Sequence, residues 1–69
     1  MTTPRERTRA LLQTKEFLRE LLDSDKTPGV PEEIRRQAEF LLRHYPDLVH
    51  LELASKALPE QYGPTTDLL

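Results

Sequence analysis

The sequence predicts a small all-α domain of three helices: a long capped helix, a second helix antiparallel to it, and a short third helix, followed by a disordered C-terminal tail. Three observations carry that expectation. Apolar residues recur at spacings of three and four through two long segments. Prolines and glycines fall between the apolar segments or at their edges, where they punctuate rather than interrupt. The 69 residues include no cysteine, so neither disulfides nor thiolate metal sites reinforce what must be a modest core.

Helix one has a start signal. In Thr3-Pro4-Arg5-Glu6 the threonine stands at the cap, proline at the first helical position and glutamate three residues after the cap. At about 100° per residue, Ala10, Leu11, Phe17, Leu18, Leu21 and Leu22 then fall in one stripe. The spacing predicts an amphipathic helix from Thr3 to Leu22, with Leu12 alone displaced among charged residues.

Asp23-Ser24-Asp25-Lys26-Thr27-Pro28-Gly29 reads as the first loop. Pro31 opens the second helix, and Glu32 and Glu33 suit its positive end. Ile34, Ala38, Leu41, Leu42 and Tyr45 form its stripe, and Pro46 should end it at Tyr45. Phe40 lies off that stripe, between Arg36, Arg43 and His44.

The third segment allows two readings. Val49, Leu51 and Leu53 alternate with His50 and Glu52 as a strand would. As a helix, Leu51, Leu53, Ala54, Ala57 and Leu58 share a face. The two alanines, and the lack of a partner for a lone strand, favour a helix from Val49 to Leu58 with Leu48 packing from the connection. Pro59 stops it, and a tail of residues 63–69 opens with Gly63-Pro64-Thr65-Thr66. The expected organisation is one helical domain over 1–62 and a flexible tail over 63–69. The expected core is Leu11, Phe17, Leu18, Leu21, Ile34, Ala38, Leu41, Leu42, Tyr45 and Leu53.

Several function classes recede on composition. The net charge is −2, and the arginines and lysine of residues 1–22 are interleaved with Glu6, Glu16 and Glu20, not the balance of a dedicated nucleic-acid binder. Uninterrupted apolar runs are only a few residues long, against the ~20 of a membrane span. The N-terminal residues carry no apolar stretch of the signal-peptide kind. Arg5, Arg7 and Arg9 have the look of a transit peptide, but Glu6 and Glu16 argue against it.

Glu6-Arg7-Thr8-Arg9-Ala10-Leu11-Leu12, Phe17-Leu18 and Leu41-Leu42-Arg43-His44-Tyr45-Pro46 resemble a family of short bacterial proteins of uncharacterised role, which share an ERTRALL-type opening and an LLRHYP-type second-helix end. The resemblance spans roughly the first 58 residues, and LLRHYP is its more distinctive part. It implies a bacterial, cytoplasmic protein and brings no activity, cofactor or catalytic residue.

His44, Asp47, His50 and Glu52 are close in sequence, but Pro46 breaks the helical i, i+4 register that a histidine pair would use for zinc. The plainer reading of His44 is a residue suited to a helix C-terminus. Ser24 and Ser55 lack a neighbouring histidine and acid, and the only glycines, Gly29 and Gly63, each stand beside proline rather than in a phosphate loop. A chain of this size also has difficulty enclosing the ~300 Å³ of a ligand pocket. No enzyme, cofactor, metal or small-molecule substrate is expected.

Two readings remain. One is a small nucleic-acid-associated regulator that uses the third helix or the Arg5, Arg9 and Arg19 side of helix one. Glu52 and Glu16 weaken those surfaces. The other, which we favour, is a non-enzymatic protein–protein interaction module, with a protein partner or self-association through Leu12, Arg36, Phe40 and Arg43. Leu12 and Phe40 are either covered by the third helix or the tail, or form a binding surface in which an aromatic stands among arginines.

Overall fold

The computed structural model describes residues 1–65. Three α-helices follow in order: α1 over Pro4–Leu22, α2 over Glu32–Arg43 and α3 over Leu48–Ala57. No strand occurs among the described residues. The chain divides into two compact units, with α1 contributing to both. One comprises Met1–Leu12 with the chain from Pro46 onward, and the other comprises Gln13–Tyr45.

The capping box that opens α1 forms as the residue types require. The Thr3 amide donates to Glu6 Oε1 at 2.9 Å, and the Glu6 amide donates to Thr3 Oγ1 at 3.1 Å. Glu6 is thereby held below the usual carboxylate range, chiefly because the Thr3 amide donates to it. The Thr3 hydroxyl, Arg9 and Arg7 add to the effect.

In the first unit, α3 begins at Leu48, one residue earlier than expected, because Asp47 and His50 form a capping box. His50 Nδ1 accepts from the Asp47 amide at 3.0 Å. The helix settles the ambiguity over residues 48–53. Val49, Leu51 and Leu53 would share one face of a strand, yet Leu51 is buried while Val49 and Leu53 are exposed. Leu53 therefore leaves the expected core, and Leu51 and half-buried Leu48 take its place. Leu48 packs as a residue of the helix, not of the connection.

The expected flexible tail begins too early. Gly63 and Thr65 are buried, and the Gly63 amide donates to the Pro4 carbonyl at 3.0 Å. Thr8, fully buried on α1, donates from Oγ1 to the Gly63 carbonyl at 3.1 Å. The Arg7 guanidinium gathers the Gln61 carbonyl at 2.7 Å, the Glu60 carbonyl at 3.2 Å and Thr2. An added Cβ at Gly63 would stand 2.8 Å from Arg5 Cα, so this close approach of two backbones requires glycine. Residues 66–69 of the expected tail lie outside the described residues.

In the second unit, Leu18 and Ala38 are buried, and Leu21, Leu42 and Tyr45 are half-buried. Arg35 ties the loop to the end of α1, donating to the Leu21 carbonyl and, at 2.7 Å, to the Thr27 carbonyl. Thr27 Oγ1 lies 2.8 Å from the Glu20 carbonyl and 3.0 Å from that of Asp23, so the last turn of α1 finds partners in the loop. Gly29 adopts φ +83°, the left-handed turn conformation that glycine reaches without strain. α2 stops at Arg43 rather than Tyr45. The His44 and Tyr45 amides bond three residues back, to Leu41 and Leu42, as the chain tightens ahead of Pro46.

The buried side of α2 is turned from its expected stripe. Arg35, Ala38 and Leu42 face inward, about 40° round the helix from the centre of the predicted set at ~100° per residue. The smallest member, Ala38, sits where packing is closest. Bulkier Ile34 and Leu41 are left exposed, as is Phe17 on α1. Those three also leave the expected core.

Candidate functional site

The turn of α2 creates an apolar face. Ile34, Phe40 and Leu41 are 41, 57 and 52 % exposed, on a helix whose other outward residues are charged or polar. Glu33, Arg36, Gln37, Phe40 and Leu41 line a depression of about 400 Å³. Phe40 is steadied from the next turn by His44, whose ring meets it edge-on with centroids 5.1 Å apart.

Charge frames this face. Glu32 lies 3.8 Å from Arg36 and Glu39 lies 3.6 Å from Arg43, both i, i+4 pairs with the acid toward the helix N-terminus. All four side chains are well exposed, so these pairs add little stability and act mainly to hold the arginines along the helix. The structure thus places Arg36, Phe40 and Arg43 together on one short helix. Leu12 belongs to the other compact unit, half-buried on the side of α1 that carries Thr8. Ile34, Gln37 and Leu41 are additions that sequence periodicity had assigned inward or passed over.

The remaining candidates take structural roles. His50 is engaged in the α3 cap and His44 stands against Phe40. Among the described residues, no group of three or more His, Cys, Asp or Glu side chains is placed to hold a metal ion. Ser55 donates its hydroxyl to the Glu52 carbonyl at 2.9 Å, spending it within the helix. A second open groove of about 480 Å³ runs along Glu52, Ser55, Lys56, Pro59, Tyr62, Pro64 and Thr65. Both hollows exceed the ~300 Å³ expected to strain so short a chain, but they are open surface depressions rather than enclosed cavities. Of the basic side of α1, Arg19 is paired with Glu16 at 2.9 Å. Among the described residues, no helix is long and apolar enough to cross a membrane.

The chain matches no family model, no curated protein and no solved structure.

Proposed function

We propose that this chain is a small non-enzymatic protein–protein interaction module, acting in the bacterial cytoplasm that its family resemblance implies. One observation carries the reading: Phe40, Leu41 and Ile34 stand exposed on one helix, within a frame of arginines and glutamates. An apolar centre with a polar rim is the common anatomy of a protein interface, and aromatic and arginine side chains dominate interface energetics. A solvated helix would ordinarily put polar residues at those three positions, at no cost in folding.

The test is a pull-down from the native cell with tagged wild-type chain beside a Phe40→Ala variant. Capture of the same protein by wild type and not by the variant supports the module. Equal capture by both, or by neither, refutes it.

A further inference from the structure

We draw no further inference here: the strongest candidate, the apolar face of α2 around Ile34, Phe40 and Leu41, belongs to the surface already described, and nothing in the structure shows what covers it.

Discussion

The Thr8 hydroxyl donates to the carbonyl of Gly63, 55 residues further along the chain, and both residues are buried. This bond joins the second turn of α1 to the segment that follows α3. Its neighbour, the Gly63 amide, donates to the Pro4 carbonyl at 3.0 Å. Thr8→Val keeps the shape and removes the donor, leaving the carbonyl without that partner, at an expected cost of about 1–3 kcal/mol. Gly63→Ala should cost a similar ~1–3 kcal/mol, because the new Cβ meets backbone, which cannot swing aside. Chemical denaturation of both variants checks this, and wild-type stability in either would mean the segment does not depend on the contact.

The α1 cap should make stability fall in acid. Glu6 has a folded-state pKa held below its ordinary value, so its contribution is fully present above the unfolded value of about 4.3. That contribution disappears as pH drops through the depressed folded value. Glu6→Gln should flatten this part of the stability–pH curve. Thr3→Ala should cost about 0.5–2 kcal/mol at neutral pH, less where end fraying absorbs the loss. Thermal melts from neutral to strongly acidic pH read both effects.

The register of α3 can be tested with two leucines. Leu51→Ala should destabilise by about 2–5 kcal/mol, the range for truncating a buried leucine. Leu53, 61 % exposed, should give less than about 1 kcal/mol on the same change. Equal losses would put residues 48–53 in another register.

Phe40→Ala should leave the isolated chain nearly as stable as wild type, within about 1 kcal/mol, since the ring is more than half exposed. A loss of ~3–5 kcal/mol, as for a buried phenylalanine, would make Phe40 core. Thermal melts of wild type and variant check this.

What local chemistry dictates was legible in the sequence. The Thr3–Glu6 box and the loop from Asp23 to Gly29 depend on residues within one or two turns of each other, and each stands where its residue types require, while the stop ahead of Pro46 comes at Arg43, two residues before Tyr45. Arg36, Phe40 and Arg43 were legible as a surface group for the same reason: one helix carries all three. Tertiary structure decided which side of each helix faces inward. Periodicity gives the width of an apolar stripe but not the direction from which a neighbour approaches, so Ile34, Leu41, Phe17 and Leu53 read as core and stand exposed. It also decided the fate of Gly63 and Thr65. Their small polar composition has the signature of a loose tail, and partners from the start of α1, the Thr8 hydroxyl and the Pro4 carbonyl, both bonded to Gly63, make the segment part of the fold.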